Sequence, residues 1–370
     1  MSLLLNLVAA SLKLRRRQKP RYHATDPRIL VIRRNKMGDM IYTLPLLQAL
    51  RRHLPEAHIT VACDPRGAPI AQACDAVNEV LVLEPGWNPW QAVLVNAWYL
   101  QNYDWVIAAK GGFDRRLALL TRLTNAAVRV GFERQSKNPS VYYTDPVPLP
   151  TDAPDEHQVD TLLRLLKPMG MVRLTPFSGD MKLTIPDPAR EFAAKIRAKP
   201  PFASQSPYLV INFSSTVKLK FREEDFIALM RRILTTTDLA MALVAAPLDQ
   251  QKVQEIADCM ASKRIVAVQT PGPLELAALL EKSILLFTPE GGAAHLAAAM
   301  STPALILWSE GPFKKWYSRG KNHAYVHAEA GEKSIPLDRA WEALRPFLPQ
   351  KNEPPEIPGT ELPNTPGLGP

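Results

Sequence analysis

The chain has 370 residues, 46% hydrophobic and 22% charged, the balance of a globular enzyme and long enough for two domains of about 150 residues each. Its three cysteines, Cys63, Cys74 and Cys259, are odd in number and scattered. That excludes a disulfide framework or a cysteine-based metal cluster and leads us to expect a reducing, cytoplasmic compartment. The formal net charge is +9, but Lys13, Arg15, Arg16, Arg17, Lys19, Arg21 and Arg28 stand against Asp26 alone in residues 1–28. Most of the excess therefore belongs to a short leader, and no recognition motif accompanies it, so nucleic acid is not an expected partner.

The leader, 1–27, runs apolar first and basic second, the reverse of a secretory signal, and is too short to span a bilayer. Two readings stand side by side for residues 1–21: a solvated terminus, or an interfacial segment touching an anionic membrane from the cytoplasmic side. The first strand is expected at Arg28–Ile32, a continuous apolar run of the kind buried on both faces of a parallel sheet. A loop and a helix from about Met40 to His53 follow, with Pro45 placed at the start of the helix proper. Strands are expected at His58–Ala62, Glu79–Leu83, Asp104–Ala108 and Val128–Phe132. Helices alternate with them at Gly67–Cys74, Trp87–Gln101 and 115–124.

After a helix near Asp155–Leu166 and a Pro-rich connection, the pattern restarts. Strands are expected at Tyr208–Phe213, Leu239–Ala245, Ile265–Val268, Ser283–Phe287 and Ala304–Trp308. Helices are expected at Arg222–Leu234, Gln250–Cys259, Pro273–Leu280, Ala293–Met300 and Asp338–Leu348. The expected division is thus a domain over 28–170, a linker over 171–207, a second domain over 208–335, a closing helix over 336–350 and a disordered Pro-rich tail over 351–370.

Two segments carry chemistry. The first, Arg33–Pro45, reads RRNKMGDMIYTLP and follows the first strand, at the carboxyl edge where open α/β sheets bind ligands. Gly38 would permit a tight turn there, and Asp39 would stand at its mouth, as a turn or helix-capping carboxylate or as a functional one. The second, Leu286–Trp308, reads LFTPEGGAAHLAAAMSTPALILW: a strand end, Gly291 and Gly292, then a helix of small residues. Free amides at such a helix start, with the helix dipole, make an anion site that glycines let a phosphate approach closely. No zinc spacing, Walker loop or Ser-His-Asp signature appears.

These residues resemble the family-nine glycosyltransferases, the ADP-heptose:lipopolysaccharide heptosyltransferases. There, a Gly-Asp pair after the first strand is followed by a Pro, and a donor motif of acidic residue, Ser or Thr, Gly, two variable residues and His opens a small-residue helix. The resemblance covers about residues 28–348. It implies a GT-B fold, two Rossmann-like domains facing each other across a cleft. It implies inverting transfer of heptose from ADP-heptose to a lipopolysaccharide core or lipid A-linked acceptor. The first domain would bind this anionic glycolipid and the second the nucleotide sugar.

By the same resemblance Asp39 is the general base that takes the acceptor hydroxyl proton. Ser214, Ser215 and Thr216, with Lys218 or Lys220, would hold the diphosphate together with Gly291 and Gly292. Glu290 would meet donor-sugar hydroxyls, and His295 would approach the phosphates or pack as a structural histidine. Arg33, Lys36, Lys110, Arg115, Arg116 and Arg134 would meet acceptor carboxylates and phosphates. No cofactor or metal is implied if helix dipole, hydroxyls and lysine balance the charge. The sequence departs from the family at two places: Glu290 stands where Asp is usual, and Gly291 where a hydroxyl residue is usual. Those departures leave open another nucleotide sugar, or a catalytically degenerate glycolipid-binding protein.

Overall fold

The computed structural model describes residues 26–34, 36–83, 89–134, 140–151, 153–171, 181, 183–202, 207–215, 220–349 and 351. The leader over 1–25, part of the linker at 172–180 and the tail from 352 onward lie outside the described residues. The chain divides into two compact units between Thr184 and Ile185, with Lys314–Trp316 grouping with the first.

The first unit runs β1 (Arg28–Arg33), α1 (Met37–Ile41), α2 (Leu44–His53), β2 (His58–Cys63), α3 (Ala68–Gln72), β3 (Glu79–Val82), α4 (Pro89–Tyr99), β4 (Trp105–Ala108), α5 (Arg115–Leu123), β5 (Val128–Glu133), β6 (Asp145–Pro148) and α6 (Gln158–Leu163). Its strands pair in parallel in the order β3-β2-β1-β4-β5-β6. β1 is central: Ile29 pairs with Ile59 on one side and Trp105 on the other. Ile29 through Ile32 are fully buried, which is why the run is apolar at every position rather than at alternate ones.

The second unit runs α7 (Asp187–Arg197), β7 (Tyr208–Asn212), α8 (Glu223–Thr236), β8 (Ala240–Val244), α9 (Gln250–Met260), β9 (Ile265–Ala267), α10 (Pro273–Leu280), β10 (Leu285–Pro289), α11 (Gly292–Met300), β11 (Ala304–Trp308), β12 (His323–His327) and α12 (Leu337–Leu344). Its parallel order, β9-β8-β7-β10-β11-β12, repeats that of the first unit strand for strand. This is the Rossmann order, in which the sheet reverses direction beside its first strand. On one side of the second sheet Phe221, Phe226 and Phe287 pack edge to face with Leu229, Met230 and Ile233 beneath them.

Each sheet holds one strand more than the sequence suggested. β6 reads DPVP, and its two prolines cannot donate to a ladder. It is tolerated because it lies at the sheet edge, where one side needs no partner. β12 reads HAYVH and is also an edge strand, half-buried and too polar to stand out as a buried run. The span read as linker holds α7, which buries Ala189 and Ala193 and packs on α10.

The segment after β1 also differs from expectation. In place of a turn and one helix, the chain forms α1, kinks at Tyr42 and Thr43, and starts α2 at Leu44. Pro45 sits in the first turn of α2, where its missing N–H leaves no bond unmade. Gly38 is inside α1 and not in a tight turn. Among the described residues no helix is long and apolar enough to cross a membrane.

His323 on β12 gives the second unit a pH dependence. Its Nε2–H donates to the Thr302 carbonyl at 3.1 Å, and its Nδ1 accepts from Ser318 Oγ at 2.6 Å. Burial pushes its pKa down to about 4, the Thr302 bond only partly opposing. The folded state therefore holds this ring neutral, while the unfolded chain takes up a proton below about pH 6.5. Stability is full above that pH and falls as pH drops from about 6.5 towards 4, by on the order of 3 kcal/mol. Urea melts across that range should show the slope, and His323→Gln should flatten it. An unchanged slope in the variant would assign the effect to other groups.

Candidate functional site

In the first unit the site is built on the carboxyl ends of β1, β4 and β5, which are neighbours in the sheet. Arg33 is the last residue of β1 and is only 2% exposed. Its Nη1 donates to the Ala109 carbonyl at 2.5 Å, just past the end of β4, and its Nη2 donates to Asp39 Oδ1 at 2.5 Å. Its Nε is buried without a partner. Burial lowers the guanidinium pKa, and the charge and hydrogen bond of Asp39 oppose that loss. Arg33, expected to meet an acceptor anion, is thus committed to the protein: it fixes Asp39 to the sheet.

Asp39 lies in the first turn of α1, where a carboxylate also suits the helix dipole. Its Oδ2 accepts the Lys36 backbone N–H at 3.3 Å, half of a capping box. The carboxylate remains 18% exposed, so its outer lone pairs are open to a small group. Lys36 itself is exposed.

Lys110 follows β4 and donates to Asp114 Oδ2 at 2.6 Å. Asp114 caps α5, its Oδ1 accepting the N–H groups of Arg116 at 3.0 Å and Leu117 at 3.1 Å. Burial pushes the Asp114 pKa up, but Lys110 and those two amides outweigh it and hold it below the usual range. Asp114 was missed in the sequence, although an Asp directly before a helix-period run is an N-cap signal. Arg115 and Arg116 are exposed at the start of α5, and Arg134 is exposed beyond β5. The basic residues expected here thus share one sheet edge. Gly131 on β5 has a packing reason: a Cβ there would lie 2.3 Å from the Tyr143 ring.

In the second unit the carboxyl ends of β8, β7, β10 and β11 form a hydrogen-bonded rim in that spatial order. Asn212 at the end of β7 donates to the Ser214 carbonyl and to Thr288 Oγ1 of β10, both at 3.0 Å. Ser214 Oγ donates to Asp249 Oδ2 at 2.6 Å and accepts the Ala246 N–H at 2.7 Å, tying β7 to the loop after β8. Ser215 Oγ reaches the Glu290 carbonyl at 3.5 Å. Lys220 donates its backbone N–H to Ser309 Oγ at 3.1 Å, beyond β11. Thr216 and Lys218 lie outside the described residues. Asn212 and Ser309 were not singled out in the sequence, because a single Asn or Ser at a strand end gives no periodic signal.

Glu290 is buried, and its Oε1 accepts the Ser309 N–H at 3.0 Å and the Glu310 N–H at 3.3 Å. Burial raises its pKa, against the pull of those two amides. One carboxylate oxygen therefore ties the ends of β10 and β11 together. Gly291 precedes α11 with φ of 149°, a conformation rarely open to an L side chain. The departure from a hydroxyl residue at 291 thus matches the backbone found there. Gly292 opens α11, a helix of nine residues whose first amides have no intrahelical partner. His295 stands half-buried in its second turn. Among the described residues no group of three or more His, Cys, Asp or Glu is placed to hold a metal ion.

Comparison with known proteins bears on this arrangement. A family model described as glycosyltransferase family 9 (heptosyltransferase) matches residues 95–337. Lipopolysaccharide heptosyltransferase 3 of Escherichia coli (strain K12) is 24% identical over 285 residues, 73% of this chain and 79% of that protein. A solved glycosyl transferase family 9 structure from Veillonella parvula superposes with a TM-score of 0.74 at 18% identity, over 87% of this chain and 97% of that one. The E. coli heptosyltransferase WaaC with ADP gives 0.69 at 21%, over 86% and 99%. The E. coli ADP-heptose lps heptosyltransferase II gives 0.68 at 16%, over 86% and 98%. These structures share the fold.

The Arg33–Asp39 pair predicts an asymmetry between two variants. Asp39→Ala removes both the counter-charge and the hydrogen bond of a buried guanidinium and should cost about 3 kcal/mol of stability, whereas Asp39→Asn removes the charge but keeps an oxygen for Nη2 and should cost about 2 kcal/mol. Urea denaturation reads both. Costs near zero for both would mean that Asp39 is not what balances Arg33.

Proposed function

The chain belongs to glycosyltransferase family 9, the heptosyltransferases, with a GT-B fold of two Rossmann-like units, and within that family we propose that it moves heptose from ADP-heptose to a lipopolysaccharide core acceptor with inversion. The observation that carries this reading is the part-exposed Asp39 carboxylate, clamped by Arg33 at the carboxyl edge of β1 inside the segment that resembles the family's first motif. Asp39 takes the proton from the acceptor hydroxyl as that oxygen attacks the anomeric carbon. The bond from that carbon to the diphosphate breaks, and ADP departs with the electron pair.

The leaving diphosphate gains charge, and preorganised donors stabilise it most. The amides at the start of α11, approached past Gly291 and Gly292, are such donors. In this reading Ser214, Ser215 and Thr216, with Lys218 or Lys220, hold the diphosphate, His295 approaches the phosphates, and Glu290 meets donor-sugar hydroxyls. On the acceptor side Lys36, Lys110, Arg115, Arg116 and Arg134 supply positive charge for an anionic glycolipid. In this reading no metal or cofactor is needed, since the helix start and the lysines offset the charge. Two of the three free cysteines are buried, which fits a reducing, cytoplasmic setting.

Asp39→Asn tests the reading while keeping an oxygen for the hydrogen bond from Arg33. Turnover should fall about 100- to 10,000-fold, while calorimetric binding of ADP-heptose stays within about threefold. Retained turnover would remove Asp39 from catalysis. The departures at Glu290 and Gly291 motivate a second reading, another nucleotide sugar. A thermal-shift panel of ADP-heptose, UDP-sugars and GDP-sugars decides it, because a ligand at 100 times its Kd stabilises by about 2.7 kcal/mol.

A further inference from the structure

The helix that carries Asp39 is too short to hold itself. α1 has five residues, well below the roughly 12 to 15 at which an isolated helix becomes even marginal in water. What fixes it must come from its surroundings. Its first turn is held through the Asp39 carboxylate, by Arg33 and by the Lys36 N–H. Those bonds set where the carboxylate sits. They leave the far end of the helix to other partners, and a tilt there would swing the remaining lone pairs away from the group they face.

Tyr42 closes that far end. It is the C-cap of α1, its N–H donating to the Gly38 carbonyl at 3.1 Å. It follows Asp39 by three residues, so the two stand one turn apart on the same side of the helix. Its side chain is buried. The ring lies edge-on to His157, 5.4 Å between centroids, and tilted against Trp316 at 5.9 Å. His157 is itself held, buried at the N-cap of α6 with Nδ1 accepting the Val159 N–H at 3.2 Å. The Tyr42 hydroxyl donates to the Trp316 carbonyl. Next in the chain, Thr43 Oγ1 donates to the Asp39 carbonyl at 2.9 Å.

Trp316 ends a helical turn, Phe313–Trp316, closed by the Tyr317 N–H on the Phe313 carbonyl at 2.9 Å. The last carbonyls of such a turn have no partner within it, and the one at Trp316 finds the Tyr42 hydroxyl. Lys314–Trp316 groups with the first unit, although the residues on either side of it group with the second, so this contact lies within the first unit. A tyrosine is more than packing requires here. Phenylalanine would fill the same space against His157 and Trp316, and a buried hydroxyl is costly unless it is bonded.

We infer that Tyr42 is a positioning residue: through its hydroxyl on Trp316 it fixes the far end of α1 and so aims the Asp39 carboxylate at the acceptor hydroxyl. The inference rests on the proposed role of Asp39 as the base, and the experiment separates the two.

Tyr42→Phe keeps the ring and removes only the hydroxyl. With ADP-heptose and a lipopolysaccharide core acceptor, its kcat should fall about ten- to a hundredfold, the scale of a small misplacement at the reacting atoms. KM for the acceptor and the calorimetric Kd for ADP-heptose should stay within about threefold of the parent's. In the Asp39→Asn background the same change should leave the residual turnover where it is, because no base is left to aim. Trp316→Leu keeps both hydrogen-bonding atoms but removes the ring that packs on Tyr42. It should show the same pattern more weakly, so the test does not depend on one variant folding. A kcat for Tyr42→Phe equal to the parent's, with Asp39→Asn impaired, would overturn the inference and leave the reading of Asp39 intact. So would an equal proportional loss in the two backgrounds, since Tyr42 would then act on the fold at large. Retained turnover in Asp39→Asn would instead remove the base, and the inference with it.

Discussion

A guanidinium that is 2% exposed needs a counter-charge, and most of the first unit's functional edge follows from how Arg33 finds one. Burying a charge unpaired costs several kcal/mol. Arg33 ends β1, so its partners must come from the loops at the carboxyl edge: the Ala109 carbonyl past β4 and the Asp39 carboxylate in α1. That requirement holds α1 against the strand end and explains why the connection is a short helix and not an open turn. It also leaves Asp39 with one oxygen committed to the guanidinium and the rest of the carboxylate near the surface. The carboxylate is thus oriented by a residue that is itself buried.

The second unit solves a related problem with hydrogen bonds between its loops. Four adjacent strand ends must present loops at one edge without leaving buried donors unmade. Asn212, Ser214, Ser309 and Glu290 do this by bonding across strands, so that the loops after β7, β8, β10 and β11 hold one another. Glu290 spends one oxygen on two amides of the loop after β11. Gly291 then turns the chain through a backbone conformation open mainly to glycine, and α11 begins at Gly292. The two departures from the family pattern are thus adjacent parts of one local structure.

Much of this was legible in the sequence, for reasons that differ by residue. The central strands β1, β7 and β10 were visible because burial on both faces leaves an unbroken apolar run. The edge strands β6 and β12 were not, since an edge tolerates prolines and polar residues that blur the signal. Asp39 and the Gly291-Gly292 helix start were found from their place after strand ends. The partner of Asp39 was named for another role, because nothing in RRNKMGD tells which of two adjacent arginines turns inward. The end of the strand settles it: Arg33 is the last residue of buried β1, and Arg34, just beyond it, instead reaches Asp64 Oδ1 at 3.6 Å. Asn212 and Ser309 act across strands distant in sequence, and no local pattern announces such bonds.

The central claim is that the start of α11 receives the diphosphate of an ADP-linked donor. A crystal structure of the chain with ADP tests it most directly. The claim predicts diphosphate oxygens about 3 Å from the backbone N–H groups of Gly292 and Ala293, with the loop from Ser214 closing on the same phosphates. ADP bound elsewhere on the second unit, with those amides still facing water, would contradict it.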